Sequence, residues 1–284
     1  MNAKAQAVSI SIVIPVFNDA EHLKSCLDSI AKQSIAPDEV IVVDNNSTDG
    51  SLQVAKACPF ARVITEKQQG VLYPRNTGFD AAKGDIIGRI DADTRLPENW
   101  VERVLGIFGH LDIAAVSGPV GWHDTPAQQL GLFFDKSVRQ ITWKLGSKDD
   151  AVFLVGSNMA LTRESWRKVR GDICMRRDVH EDIDLAIHLF RAGYAVAFDD
   201  SLYAMTSSRR MNDSAQQLKK YIDVYRNTYK VHGIKTTGTW PAATITLATH
   251  FGVKLLKRGY DPDTKRFSMK KFLENQDEPR VHPM

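Results

Sequence analysis

The sequence holds only three cysteines in 284 residues, Cys26, Cys58 and Cys174. They are scattered, with no Cys-x-x-Cys pair and no histidine at zinc-ligand spacing, which excludes a zinc ribbon or a disulfide scaffold. Small buried or half-buried thiols in a reducing compartment are the expectation. Excess charge of one sign is equally scarce, because 37 basic residues against 34 acidic ones leave +3. That balance, with no dense basic stripe with interleaved aromatics in the first two hundred or so residues, argues against nucleic acid as a partner. No apolar run reaches bilayer-spanning length, and Met1 to Val8 lacks a signal-peptide pattern, so the expected location is cytoplasmic. Repeats and low-complexity tracts are absent too. What is present is 43% apolar composition, enough to bury the core of one large domain or one and a half.

The chain is organised around Gly84-Asp85-Ile86-Ile87-Gly88-Arg89-Ile90-Asp91-Ala92-Asp93-Thr94, an apolar run ending in two acids one residue apart. A short buried strand reads this way, and its exit sets both carboxylates near one spot beyond the sheet edge. Such a spot suits Mg²⁺ or Mn²⁺, which take oxygen ligands and bind through one or two carboxylates plus substrate phosphates. Taken alone, Asp-Ala-Asp-Thr before Leu96-Pro97 reads better as a solvated turn ahead of a helix.

Val8 to Phe17 is rich in β-branched residues and predicts a buried parallel strand. Asn18-Asp19 then caps a helix carrying Leu23, Leu27 and Ile30 at helical spacing. Glu39 to Val43 predicts a second strand, ended by Asp44-Asn45-Asn46-Ser47-Thr48-Asp49-Gly50, and Ala61 to Thr65 a third. This alternation predicts an open, mostly parallel sheet with helices on both faces. Ligands of such sheets bind beyond the carboxyl ends of the strands. Each polar loop ending alone is explained by turn chemistry; several acid-bearing loops on one rim favour a ligand. Pro74 suits the start of an Ala-rich helix that ends at Gly84. Arg75 then sits in its first turn, against the macrodipole preference, with an anionic ligand or a salt bridge to Asp44 or Asp49 as compensation.

Together, Ile12-Val13-Ile14-Pro15-Val16-Phe17-Asn18, Val42-Val43-Asp44-Asn45-Asn46-Ser47-Thr48-Asp49, Arg75-Asn76-Thr77-Gly78 and Asp91-Ala92-Asp93 resemble the family 2 glycosyltransferases with the GT-A fold. The order and spacing agree over roughly the first two hundred residues, far more specific than any one motif. The resemblance implies a Rossmann-like α/β sheet and a nucleotide-diphosphate-sugar donor, a UDP-sugar favoured. It implies that Asp44 accepts a hydrogen bond from the base, and that Pro15, Val16 and Phe17 cradle base and ribose with Asn18 and Asn46 beside them. Arg75 lies near the donor, and Asp91, Ala92 and Asp93 form the Asp-x-Asp motif whose acids hold Mg²⁺ or Mn²⁺ on the diphosphate. Where the family usually carries Asp-Asp or Asp-Gly after the second strand, this chain has Asn45-Asn46.

Further on, Pro97 to Trp100 opens an amphipathic helix and Ile113 to Val120 reads as a strand. Gln128 to Leu145 is expected to be a helix packed in the core, with an acceptor-receiving face as the alternative. Gly156-Ser157 sits where the family's acceptor side approaches the sugar, and glycine there permits close backbone approach; a plain bulge is the competing reading. Val179-His180-Glu181-Asp182-Ile183-Asp184 opens a helix with an acidic first turn, which the macrodipole alone explains. The resemblance makes Asp182 the general base, with Glu181 tuning it. His180 is a candidate acceptor or metal contact, although a structural imidazole is the plainer reading. Arg209 and Arg210 fit either a diphosphate or acceptor clamp or a solvated basic turn. The Gln-x-x-Arg-Trp motif of processive synthases is absent.

The tail predicts an amphipathic helix over Ala215 to Val231 and an apolar stretch over Trp240 to Leu256 with basic pairs beyond it. That stretch fits an anionic membrane surface, the catalytic domain or another copy. The expected organisation is a GT-A catalytic domain over 1–211, with 8–120 for the nucleotide sugar and 121–211 for acceptor and base, then a helical extension and polar tail over 212–284. The expected activity is metal-dependent, inverting, hexosyltransferase-type transfer of a single sugar to the hydroxyl of a glycan or lipid-linked acceptor, in cell-envelope glycan, polysaccharide or glycolipid synthesis. A sugar nucleotidyltransferase and a non-catalytic nucleotide-sugar-binding protein are the alternatives. Open partner readings are the inner membrane face through 240–271 and a homodimer.

Overall fold

The computed structural model of the chain describes residues 8–126, 128–146, 152–234, 253–254, 257, 259–261 and 264–274. Strands β1 (Ile10–Val16), β2 (Glu39–Asp44), β3 (Ala61–Thr65) and β4 (Ile86–Arg89) alternate with helices α1 (Ala20–Ile30), α2 (Ser51–Ala57) and α3 (Leu72–Ala81). The four strands pair in parallel. Across β4, β7 (Met159–Thr162) joins antiparallel, followed by β5 (Ala115–Ser117) and β8 (Val196–Phe198). The result is an open, mostly parallel seven-stranded sheet in the order β3-β2-β1-β4-β7-β5-β8.

The β-branched runs form strands here because both of their faces are covered. Val13, Ile41, Val43 and Ile87 pack under Phe79 of α3, Trp166 of α6 (Arg163–Val169) and Ile183 and Ile187 of α7 (Glu181–Arg191). Ile12, Ile14, Val40 and Val42 turn to the opposite face, onto Leu23, Leu27 and Ile30 of α1 and Val101 and Val104 of α4 (Trp100–His110). The side-chain period of two thus sorts one strand into two cores.

Several expected boundaries shift for identifiable reasons. Asp19 holds the N-cap position of α1 without capping it. The Asp49 carboxylate accepts from the Ala20 and Ser51 amides instead, so one acid serves the starts of both α1 and α2. α3 begins two residues before Pro74 and ends at Ala81. Gly84 is therefore no helix stop; a Cβ there would lie 2.5 Å from the Ser11 amide, so glycine is required by close passage along β1. The expected strand from Ile113 to Val120 breaks at Gly118-Pro119, and β6 (Val120–Trp122) leaves to pair with β9 (Ala204–Thr206). The break is steric, because the Leu202 carbonyl oxygen lies 1.5 Å from where a Gly118 Cβ would stand.

The core placement expected for Gln128 to Leu145 does not hold. In α5 (Gln128–Gly146) Phe133 is 67% exposed and Ile141 60%. Trp143 marks the packed flank, edge-on to Phe153. α8 (Ala215–Val231) starts on a Ser214/Gln217 capping box and buries Leu218 and Tyr229, the latter in the same core as α7. Most of Trp240 to Leu256, and the tail after Glu274, lie outside the described residues. Among the described residues no helix is long and apolar enough to cross a membrane.

Because Gly118 abuts the Leu202 carbonyl, Gly118→Ala should cost about 2–3 kcal/mol. Chemical denaturation checks it, as a lower midpoint with an unchanged slope.

Candidate active site

The carboxyl ends of β1, β2 and β4 open on one rim. Val16 and Asp44 lie in register on neighbouring strands. Val16 is buried, with Pro15 and Phe17 half-buried beside it. Asp44 is 2% exposed, and its Oδ1 is buried without a hydrogen-bond partner. An acceptor left bare in this way costs about 1–3 kcal/mol unless a ligand donor meets it. The asparagines around it shape the loops. Asn45 donates to the Glu66 and Gln68 carbonyls and accepts from the Gly70 amide. Asn46 sits at φ 61° and donates to the Lys67 carbonyl. Asn18, at φ 49°, accepts from the Thr48 amide at 2.7 Å, which ties the β1 loop to the β2 loop. Both positive φ values suit asparagine, which tolerates the left-handed region.

At the end of β4 stands Arg89, which the sequence reading passed over inside an apolar run. Its side chain is 5% exposed, and one nitrogen, Nη2, lies 3.0 Å from Asp91 Oδ1 and 3.2 Å from Glu181 Oε1. Burial alone would lower its pKa; the Asp91, Glu181 and Asp182 carboxylates outweigh burial and raise it. Gly156 is glycine because of this side chain, since a Cβ there would overlap an Arg89 Nη. The Gly156 amide donates to Asp182 Oδ2 at 2.9 Å, and the Ser157 carbonyl accepts from the buried Thr94 hydroxyl. The close approach that glycine permits here is to a guanidinium and a carboxylate.

Arg75 is 0% exposed and makes neither of the salt bridges expected of it. It donates to the Glu181 carbonyl and to Asn76 Oδ1 and lies beside the Phe79 and Trp166 rings. Its bond to the Glu181 carbonyl supports the start of α7.

Asp91 and Asp93 leave β4 in different surroundings. Asp91 is 34% exposed at its side chain. Asp93 is buried; Oδ1 accepts from Thr206 Oγ1 at 2.8 Å and Oδ2 from Arg209 Nη2 at 3.0 Å. Ala92 between them is buried, and the Asp93 carbonyl meets His123 Nε2 at 3.2 Å. Arg209 also forks onto Asp19, Nη1 to Oδ1 at 3.0 Å and Nη2 to Oδ2 at 2.6 Å. Its turn is pinned by Asp124, which accepts from the Ser207 hydroxyl and the Ser208 amide. Arg210 turns the other way, 4.2 Å above the Tyr221 ring of α8.

The first turn of α7 carries Glu181 and Asp182, with His180 at its N-cap. Asp182 Oδ1 accepts from the Ile183 amide, and His180 Nδ1 lies 3.4 Å away. Burial would raise the Asp182 pKa, but His180, Arg89 and the Gly156 amide hold it far below the usual carboxylate range. For His180, burial would lower the pKa; the Tyr221 oxygen and the Asp182 and Glu181 carboxylates prevail and raise it to about 9. Its ring stands edge-on to Tyr221, 4.8 Å between centroids.

Among the described residues, two histidine-carboxylate groups have ligand atoms within 4.8 Å of one another, His180/Glu181/Asp182 and Asp184/His188/His232. In the first, Glu181 is engaged by Arg89. In the second, Arg191 approaches His232 Nδ1 at 3.4 Å while Nε2 lies 2.8 Å from Asp184 Oδ1. An arginine can only donate, so Nδ1 accepts and Nε2 carries the proton to Asp184. That tautomer makes a clamp between α7 and the end of α8. Asp91 and Asp93 at the β4 exit offer carboxylate oxygens, the hard ligand type that Mg²⁺ or Mn²⁺ takes.

Arg89→Met should lose about 3–5 kcal/mol, because it removes the guanidinium that the buried Glu181 carboxylate shares with Asp91; calorimetric unfolding against wild type measures it. The raised His180 pKa means that the folded chain binds this proton more tightly than the unfolded one. Its stabilisation is complete below about 6.5 and is lost as pH rises through about 9. Melting profiles of wild type and His180→Gln should accordingly differ most below pH 6.5, by about 2 kcal/mol, and converge above pH 9.

Comparison with known proteins bears on fold and family. At the sequence level, Glycosyltransferase AglE of Haloferax volcanii is 33% identical over 118 residues, 39% of this chain and 39% of the relative. Glycosyltransferase GlyG of Streptococcus pneumoniae is 35% identical over 114 residues, 38% of each. The chain thus matches about two fifths of the length of these relatives. Among solved structures, the mannosyltransferase PcManGT of Pyrobaculum calidifontis, in complex with GDP-Man and Mn²⁺, aligns with a TM-score of 0.57 at 20% identity, covering 87% of this chain and 76% of that one. Glucosyl-3-phosphoglycerate synthase of Mycobacterium tuberculosis, with Mn²⁺, UDP-glucose and phosphoglyceric acid, aligns with a TM-score of 0.54 at 19% identity, covering 81% and 82%. These likenesses establish a GT-A fold. The model of the glycosyl transferase family 2 matches residues 11–169, more than half of the sequence, and the chain belongs to that family.

Proposed function

We propose that this protein transfers a single sugar, with inversion, from a nucleotide-diphosphate donor to an acceptor hydroxyl, with a divalent cation on the donor diphosphate. The observation that carries the reading is the single Arg89 nitrogen bonded to both Asp91 and Glu181, which sets the Asp-x-Asp turn one guanidinium away from the residue beside Asp182. Donor and base groups then face one reaction centre. Residues 8–120 bind the nucleotide sugar, 121–211 supply the acceptor side and base, and the helical part after 212 buttresses them.

The unpaired Asp44 Oδ1 is the acceptor for a base N–H, with Val16 and its half-buried neighbours against base and ribose. UDP is the favoured nucleotide; a GDP-sugar bound to one structural neighbour and a UDP-sugar to another make both worth assaying. Asp91 and Asp93 would hold Mg²⁺ or Mn²⁺, an ion that neutralises charge on a departing diphosphate when bound. Asp182 takes the acceptor proton. Its low pKa keeps it ionised across the working range, and the hydroxyl becomes acidic enough to surrender its proton only as the new glycosidic bond forms. The Gly156 amide fixes the carboxylate for that approach. No covalent enzyme nucleophile is required, and the transition state is oxocarbenium-like. The acceptor belongs to envelope glycan, polysaccharide or glycolipid synthesis. A cytoplasmic site is the accompanying proposal, with membrane contact through 240–271 and a homodimer as separate questions.

Asp182→Asn isolates the chemistry. It should reduce transfer by about 10²–10⁴-fold while nucleotide binding, followed by thermal shift with Mn²⁺, stays within a few fold of wild type. Full transfer by this variant would remove the base assignment.

A further inference from the structure

Arg209 is placed unusually for a residue beside a cation site. Its Nη2 lies 2.6 Å from Asp19 Oδ2 and 3.0 Å from Asp93 Oδ2, so it already neutralises the buried carboxylate that the proposed function gives to the metal. Its grip is unequal. Asp19 receives the full two-nitrogen fork, whereas Asp93 shares one nitrogen. If Asp93 Oδ2 is withdrawn, the guanidinium keeps both bonds to Asp19, and the Nη2 hydrogen that Asp93 accepted is left for a new acceptor. Arg209 Nε, moreover, is buried with no acceptor, a spare donor on a side chain suited to bidentate binding of phosphate. The turn that carries it is fixed at its start, by Asp124 accepting from the Ser208 amide and by Ser207 accepting from the Arg209 amide.

We propose that Arg209 is a resident counter-cation for Asp93, which yields one carboxylate oxygen to the divalent ion only when a nucleotide diphosphate arrives to receive the displaced guanidinium. The proposal rests on the reading of Asp91 and Asp93 as metal ligands and adds an order to it. A divalent ion arriving alone competes with a guanidinium and stands beside its charge. With the diphosphate present, the same guanidinium gains phosphate oxygens, so ion and nucleotide each tighten the binding of the other, a reciprocal coupling between two ligands. Asp19, the residue after the base-cradling loop, thereby becomes the hinge post that joins nucleotide and metal loops.

The test is a titration with Mn²⁺ followed by electron paramagnetic resonance, in which the signal of free Mn²⁺ falls on binding. Wild type, Arg209→Gln and Arg209→Lys are compared with no nucleotide, with UDP and with GDP; Asp93→Asn reports loss of the ion. Wild type should bind Mn²⁺ at least about tenfold more tightly with the preferred nucleotide than without it, a typical size for such coupling. Arg209→Gln should bind Mn²⁺ alone about tenfold more tightly than wild type and lose most of the nucleotide-induced gain, while Arg209→Lys keeps much of it. A merely structural role moves neither quantity in that direction. Unchanged or weaker nucleotide-free binding in Arg209→Gln overturns the proposal, provided that its melting curve shows a folded protein; if it does not fold, a coupling below about twofold in wild type or in folded Arg209→Lys overturns it. Wild type that binds no Mn²⁺ with either nucleotide overturns the metal assignment itself, and with it this proposal.

Discussion

A guanidinium deep in a protein needs acceptors for its protons, and at Arg89, where these are carboxylates, this requirement organises everything nearby. The side chain rises from the last residue of β4 and holds Asp91 and Glu181, two residues ahead and 92 residues ahead. Withdrawing the Arg89 and Glu181 charges from water costs several kcal/mol per ion before attraction repays it. The arrangement therefore contributes little net stability. What it supplies is register between a strand exit and a helix start that no backbone hydrogen bond connects. The supports follow from it: a glycine at 156, because the guanidinium occupies the space of a Cβ, and Arg75 beneath Glu181, holding that residue by its carbonyl.

Sheet topology explains why one side chain can do this. Parallel β1, β2 and β4 all deliver their carboxyl ends to one rim. Antiparallel β7 runs the other way, with Met159 opposite Arg89, so the residues leading into it, Gly156 and Ser157, reach the same rim from the amino end of a strand. α7 packs on the face where Phe79 and Trp166 lie, and its first turn looks across at the β4 exit. An all-parallel continuation would have left that side of the rim to a crossover loop. Reversal at β7 gives it a strand-anchored wall instead, with the buried Asn158 bonded to Trp100 and to the Pro119 and Leu202 carbonyls.

The sequence made the parallel half legible because its signals are local. β-Branched runs, breakers at their ends and acids after them sit within a few residues of one another, and Ala61 to Thr65 and Ala215 to Val231 were delimited as found. The polar rim residues were legible as a set for the same reason. Arg89 was not, although its signal was present: a charge inside Ile-Ile-Gly-Arg-Ile is anomalous unless it has buried partners, and those lie far along the chain. Asp19 misled in the opposite sense. Its position invited a capping role, yet its partners are His22 and Arg209, while Asp49 does the capping from 29 residues away. Helix α5 failed for a third reason. Apolar residues at helical spacing specify a stripe, but they do not specify whether anything covers it.

The end of the described helical region bears on how water reaches Asp182. α8 lies over the start of α7. Thr228 accepts from the His180 amide, Asn227 donates to the Asp178 carbonyl, and His232 closes on the fully buried Asp184. Tyr221 and Tyr225 stand against the His180 ring. Asp182 is thus shielded on the α8 side, where its field is weakly screened and an adjacent imidazolium acts strongly. Under the proposed function, a carboxylate held so firmly in its charged form is a weak base toward water, and a weak base is adequate for a proton that leaves only as the acceptor oxygen loses its electrons to the anomeric carbon. It also resists idle protonation between turnovers. On that reading α8 contributes to the electrostatics of the site, because Tyr221 is among the groups that keep the His180 imidazole protonated beside Asp182.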